Sequence, residues 1–169
     1  MKPDIKFMNH ALTFARIALN RGDFPVGCVL TLNHEIIATG ERTGTDCTIK
    51  NELDHAEINA LRKFGEYCPR DEINVDQLTL YCTLEPCLMC FGAILIHRIP
   101  RIVYAFEDAM GGGTTIPQSL MPPLYANQTI EIVSGVCRQE SLDLFKIFFS
   151  NPDNNYLADT DLADYVLKQ

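Results

Sequence analysis

Apolar residues at Ile5, Met8, Ala11, Leu12, Ala15, Ala18 and Leu19 recur at steps of three and four. That period predicts an amphipathic first helix, which Gly22 ends. The pattern then changes. Val26 to Leu32 and Glu35 to Thr39 are rich in β-formers and are separated by Asn33-His34, a hairpin signal. Residues 40–53 are polar and read as a loop. Asp54 is placed to cap a second helix from about His55 to Phe64, with Gly65 ending it. Another polar loop, Glu66 to Gln77, leads to a compact apolar strand at Leu78–Thr83. Pro86 suits the first turn of a helix running to about Arg98. Arg101–Phe106 and Thr129–Val133 read as strands, Asp108–Gln128 as a Gly- and Pro-rich loop, and Glu140–Phe149 as a helix. The tail from Asn151 has a weaker helical pattern at Leu157, Leu162, Val166 and Leu167. Helices alternating with mostly buried strands imply a single α/β sheet covered on both faces. We divide the chain into one domain, 1–150, and an acidic tail or helix, 151–169, packed on it.

Composition narrows the class. No apolar run approaches the length of a membrane span, and the N-terminal stretch lacks the apolar core of a signal peptide. The expectation is a soluble, cytoplasmic protein with no membrane partner. Seven cysteines, an odd number, argue for metal ligation and buried thiols over a disulfide framework. The net charge of −8, from 14 basic and 22 acidic residues, is opposite to that of proteins whose affinity rests on phosphate contacts.

Two clusters carry candidate chemistry: His55-Ala56-Glu57 and Pro86-Cys87-Leu88-Met89-Cys90. Each falls at a predicted helix start, where the helix dipole favours thiolate over thiol. Cys87 and Cys90, three apart, share a helix face. With His55 they make three ligands, one short of a closed tetrahedron, which is the pattern of a catalytic zinc rather than a structural one. Glu57 lies beside the ligands and is free to move protons. A Cys-x-x-Cys pair alone also fits a redox role, and a non-catalytic zinc-holding subunit would need the three ligands but not Glu57. The combination of both clusters is the signature of nucleobase deaminases that use zinc.

At these residues the chain resembles the cytidine deaminase-like superfamily, and within it the bacterial tRNA-adenosine deaminases and guanine deaminases. The similar segments are Phe24-Pro-Val-Gly-Cys-Val29, His55-Ala-Glu-Ile-Asn-Ala-Leu61, Leu80-Tyr-Cys-Thr-Leu-Glu-Pro-Cys-Leu-Met-Cys-Phe-Gly-Ala93 and Ile96-His-Arg-Ile-Pro-Arg-Ile-Val103. The resemblance implies a three-layer α/β/α sandwich with a central mixed five-stranded sheet. It also implies one Zn2+ per chain on His55, Cys87 and Cys90, proton shuttling by Glu57, and a homodimer. Three departures stand out. The Asn that touches the base in such proteins is replaced by Arg42, or by Glu41 in a register one residue back. The loop from Thr43 to Asp54 is longer, and the tail is acidic. Arg42, Glu41, Ala56 and Pro86 are the candidate substrate contacts.

The sequence reading therefore favours hydrolytic deamination of a small nucleobase or nucleoside. Deamination of an adenosine at the tRNA wobble position is the alternative. Tyr156 or Tyr165 of the tail is a candidate wall of the pocket, and Gly111-Gly112-Gly113 a candidate pocket edge. His10 and His34 read as surface residues, His97 as structural, and Cys28 and Cys82 as buried thiols. Cys47, Cys68 and Cys137 carry no functional signal.

Overall fold

The computed structural model describes residues 2–46, 50–67 and 73–169; Cys47 and Cys68 lie outside them. The elements are α1 (Lys2–Asn20), β1 (Gly27–Leu32), β2 (Glu35–Glu41), α2 (Ala56–Tyr67), β3 (Leu78–Leu84), α3 (Leu88–Ile96), β4 (Arg101–Phe106), α4 (Pro123–Ala126), β5 (Glu131–Val133), α5 (Arg138–Phe149) and α6 (Asp161–Lys168). The strands form one mixed sheet in the order β2-β1-β3-β4-β5. β1 runs antiparallel to β2 and β3, while β3, β4 and β5 are parallel.

Strand alternation sorts the side chains into two layers. Cys28, Leu30, Leu80, Cys82, Leu84, Ile102, Tyr104 and Phe106 face one cluster, with Ala60 and Phe64 of α2 and Phe91 and Ile94 of α3. Val29, Tyr81, Val103 and Ala105 face the other, with Met8, Ala11 and Leu12 of α1 and Leu144 of α5. Both faces of β1, β3 and β4 are therefore covered, giving the expected three layers. Tyr156, Leu162 and Val166 belong to the first cluster, so the tail adds to the same core as the sheet.

Several expected boundaries shift. β2 extends two residues beyond Thr39, and α2 continues through Gly65 to Tyr67 instead of ending there. Gly65 is tolerated inside the helix, where a glycine costs only about 1 kcal/mol against alanine. Asp54 does not cap α2: its carboxylate is occupied by Asn51 and Arg62. The His55 carbonyl accepts the first helical bond, from Asn59 N at 2.9 Å. Asn33 and His34 have φ of 52° and 65°, as the two-residue hairpin turn requires. Within the Gly- and Pro-rich loop, Gln118–Leu120 forms a 3-10 turn and Pro123–Ala126 a short helix that periodicity had not indicated.

Gly40 sets the approach of α2 to β2. A Cβ there would lie 2.0 Å from the Ala56 carbonyl oxygen and 2.7 Å from Ala60 N. Those atoms are backbone and cannot swing away. Gly40→Ala should therefore lower stability by about 1–3 kcal/mol, read as a reduced Tm, and lower zinc occupancy because His55 directly precedes this contact. An unchanged Tm would show that the helix can shift freely.

The C-terminal helix is fastened by polar contacts as well. Tyr165 Oη donates to Glu107 Oε1 at 2.6 Å, and Arg138 pairs with the same carboxylate. The Arg138 hydrogen bonds come first in holding Glu107 down to about 2, against 4.5 for an ordinary glutamate. A carboxylate depressed in the folded state stabilises it above its unfolded pKa and loses that contribution as pH falls. Acidification from about 4.5 towards 2 should therefore loosen α6, detected as faster amide exchange over residues 161–168. Uniform protection down to pH 2 would contradict the assignment.

Candidate active site

β2 and β3 each hand the chain to a helix start, and these two starts meet. The His55 ring lies just before α2, with Nδ1 3.6 Å from Cys87 Sγ and 3.5 Å from Cys90 Sγ. Cys87 is the N-cap residue of α3, and its side chain makes no capping hydrogen bond, which leaves the sulfur available. Among the described residues these three form the group that could hold a metal ion, with all ligand atoms within 4.8 Å of one another. A tetrahedral zinc with Zn–N near 2.0–2.1 Å and Zn–S near 2.3 Å requires N···S separations of about 3.5 Å. The observed spacing meets that requirement without movement, so the donor set and geometry fit zinc with a fourth position left for a non-protein ligand.

The electrostatics match the ligand role. The hydrogen bond from Cys90 comes first in pulling the Cys87 thiol down to about 4 from its ordinary value of 9.0, and His55 adds to it. Cys90 is shifted the other way, first by that same bond and then by burial. Burial raises the pKa of Glu57, which is 3% exposed.

Beside the ligands lies a cavity of about 220 Å³. His55, Ala56, Glu57 and Cys87 form its floor, and Phe24, Val26, Leu84 and Met110 supply apolar wall. Arg42 lines it too. Arg42 Nη1 donates to the Thr43 carbonyl at 3.1 Å, and Nη2 reaches Glu52 Oε2 and Tyr156 Oη, each at 3.2 Å. Tyr156 in turn donates to Glu52 Oε2 at 2.8 Å. The tail closes one side of the cavity through Tyr156, Leu157 and Leu162.

Of the residues expected at the site, His55, Ala56, Glu57, Arg42 and Cys87 line the cavity, and Cys90 lies with the ligands beneath. Glu41 and Pro86 do not line it. The Glu41 carboxylate, on the last residue of β2, points to Arg21, 3.8 Å away, whereas Arg42, just beyond the strand, lines the cavity. Pro86 contributes through its backbone: its carbonyl accepts from Gly113 N at 2.8 Å. Tyr165 is engaged by Glu107, away from the cavity. His97 bonds the Ala93 carbonyl, in keeping with a structural role, and Cys28 and Cys82 are buried as expected.

The cavity also contains residues the motifs did not single out: Glu52, Glu85, Asp108 and Met110. Glu85 fixes the glycine loop, since its carboxylate accepts from Asp108 N at 3.2 Å and Thr114 N at 3.3 Å. Gly112 packs against that carboxylate so closely that a Cβ would lie 2.4 Å from it. The only advance signal was the position of Glu85 two residues before Cys87.

Residues 1–106 match the cytidine and deoxycytidylate deaminase zinc-binding region, and the chain belongs to this family of zinc-dependent hydrolases. It is 32% identical over 153 residues to the tRNA-specific adenosine deaminase of Bacillus subtilis (strain 168), covering 88% of this chain and 90% of that one. It is 30% identical over 157 residues to tRNA-specific adenosine deaminase 2 of Danio rerio, covering 88% and 72%. A structure from studies of A-to-I editing by tRNA:A34 deaminases superposes with a TM-score of 0.68 at 32% identity, covering 82% of this chain and 98% of that one. The guanine deaminase of Nitrosomonas europaea shares the fold, with a TM-score of 0.63 at 22% identity over 83% and 81%. Zinc, the hydrolase class and the sandwich fold thus agree with the sequence expectations. The names of these relatives agree better with the tRNA alternative than with the first-favoured small-molecule reading.

Proposed function

We propose that the protein removes the exocyclic amino group of a nucleobase by hydrolysis, and that the base arrives free or as a nucleoside. The observation that carries the second half is the closure of the cavity by the tail. Tyr156 stands over Arg42 and Glu52, and the cavity of about 220 Å³ is on the scale of one base or nucleoside. The lining sets one arginine against the carboxylates of Glu52, Glu57, Glu85 and Asp108, which repels a phosphate backbone.

Zinc on His55, Cys87 and Cys90 would act as a Lewis acid that lowers the pKa of water near it to about 7. Glu57 takes a proton from the attacking water and returns protons to a ring nitrogen and the departing amine. The C–N bond breaks, a carbonyl replaces it and ammonia leaves. Burial of Glu57 keeps bulk water from competing for that proton. Ala56, fully buried at the start of α2, separates the two working side chains of His55 and Glu57. The homodimer implied by the resemblance is part of this proposal, with Leu88, 62% exposed beside Cys87, as a residue the second copy would cover.

The second reading, deamination of an adenosine in tRNA, is supported by the relatives at 30% and 32% identity. Ammonia release from guanine, adenine, cytosine, their nucleosides and a tRNA anticodon stem-loop separates the two. Turnover of a base or nucleoside without turnover of RNA is the expected result. Turnover of the stem-loop alone would replace this reading by the tRNA one.

A further inference from the structure

We propose that Glu85 is a positioning residue for both halves of the site: one carboxylate sets how firmly Cys87 holds the metal and how closely the cavity wall meets the base. This rests on the hydrolytic reading above, not on either choice of substrate.

Glu85 follows β3 and precedes Cys87 by two residues. It is 4% exposed, and among the described residues no ion pair neutralises its carboxylate. Burying a charge without a cation is costly unless hydrogen bonds replace the lost water. Here residues 108–114 replace it. Oε2 accepts from Asp108 N at 3.2 Å, at one end of that loop. Oε1 accepts from Thr114 N at 3.3 Å and from the Thr114 hydroxyl, at the other end. A single side chain therefore pins both ends.

The N–H groups between those ends are also used. Met110 N and Gly111 N donate to Asp108 Oδ1 at 3.0 and 2.9 Å. Gly112 N donates to the Asp108 carbonyl, and Gly113 N to the Pro86 carbonyl. Every main-chain donor from Met110 to Thr114 thus has an acceptor. The glycines here serve close approach: a Cβ on Gly113 would lie 3.0 Å from Leu88 N and Cα.

This turn touches the site twice. Gly112 pairs with Cys87 as an antiparallel bridge, and Gly113 bonds the residue before it. The Cys87 side chain makes no capping hydrogen bond, so the clasp is what fixes its main chain at the start of α3. From the same turn Asp108, Met110 and Gly111 line the cavity. Releasing Glu85 would loosen a metal ligand and a wall together.

The test compares Glu85→Gln with the wild type and with Leu144→Ala. Gln keeps the volume but turns one acceptor into an amino donor, which opposes the loop N–H it met. Leu144 packs on the other side of the sheet, so its truncation reports lost stability alone. Zinc-loaded proteins are mixed with excess chelator at a temperature where all stay folded. KM and kcat are measured on the compound that turns over fastest. Loss of an outer group that orients a ligand changes metal affinity by about 10–100-fold, so Glu85→Gln should release zinc about tenfold faster, with KM raised about tenfold. Turnover depends on Glu57 of another helix, so kcat should fall less than KM rises. Leu144→Ala should leave zinc release and KM at wild-type values. If Glu85→Gln does not fold, Thr114→Val removes only the hydroxyl donor and should move both readouts the same way by about threefold. Zinc release no faster than that of Leu144→Ala overturns the proposal. So does faster release with KM unchanged, because the wall would then be independent of the clamp. Absence of turnover by the wild type on every compound would remove the hydrolytic reading, and zinc release would then decide the clamp alone.

Discussion

Replacing Glu57 by Gln should leave zinc content unchanged and lower kcat by about 10²–10⁴-fold, the span expected for loss of general acid–base catalysis. Gln keeps the volume and a hydrogen-bonding oxygen, so the packing around this buried side chain survives. What it removes is the capacity to accept a proton. Glu57 is not among the three ligands, and nothing about zinc coordination should change. Zinc by atomic absorption and ammonia release under the same conditions provide the comparison. Normal turnover by Glu57→Gln would rule out this residue as proton shuttle. The same variant separates an enzyme from a non-catalytic zinc-holding subunit, which would show no loss because it had no activity to lose.

Cys90→Ser should go further and remove both metal and activity. A serine hydroxyl does not ionise at neutral pH as a metal-assisted thiol does, and it is a poorer ligand for a borderline-soft ion. Cys90 is 0% exposed and sits against the core, so water has no direct route to replace it. The hydrogen bond from Cys90 is also the first influence that lowers the Cys87 thiol, so its loss weakens a second ligand. The expected result is zinc below about a tenth of the wild-type content in the purified protein, with activity reduced in proportion. A Cys90→Ser protein that retained stoichiometric zinc would require a different ligand set.

Much of the scaffold was legible because local rules govern it. The hairpin at Asn33-His34 needs left-handed backbone at two adjacent positions, and β4 is bounded by Pro100 and the polar Glu107. The ligands were legible because their spacing is short: His55 and Glu57 share one helix start, Cys87 and Cys90 another. The walls of the cavity were not. Glu52 lies in a loop, Asp108 and Met110 in another, and Tyr156 in the tail, so no sequence window contains two of these groups together. Arg42 was noticed as a departure, but its burial depends on Tyr156, 114 residues away. Glu41, offered as the alternative to Arg42 in a register one residue back, turns its carboxylate to Arg21, and the neighbouring Arg42 lines the cavity.

That long reach between Arg42 and Tyr156 has a consequence for the nascent chain. All three metal ligands, and β1 to β4 beneath them, lie before residue 107. Chains emerge from the ribosome from the N-terminus, at about 5–20 residues per second. The three ligands are therefore synthesised before the stretch that carries Tyr156. The wall that Tyr156 builds over Arg42 and Glu52 is synthesised only after all three ligands. Assembly of the ligand set and closure of the cavity are thus separated in time, and the order is set by the genetic message.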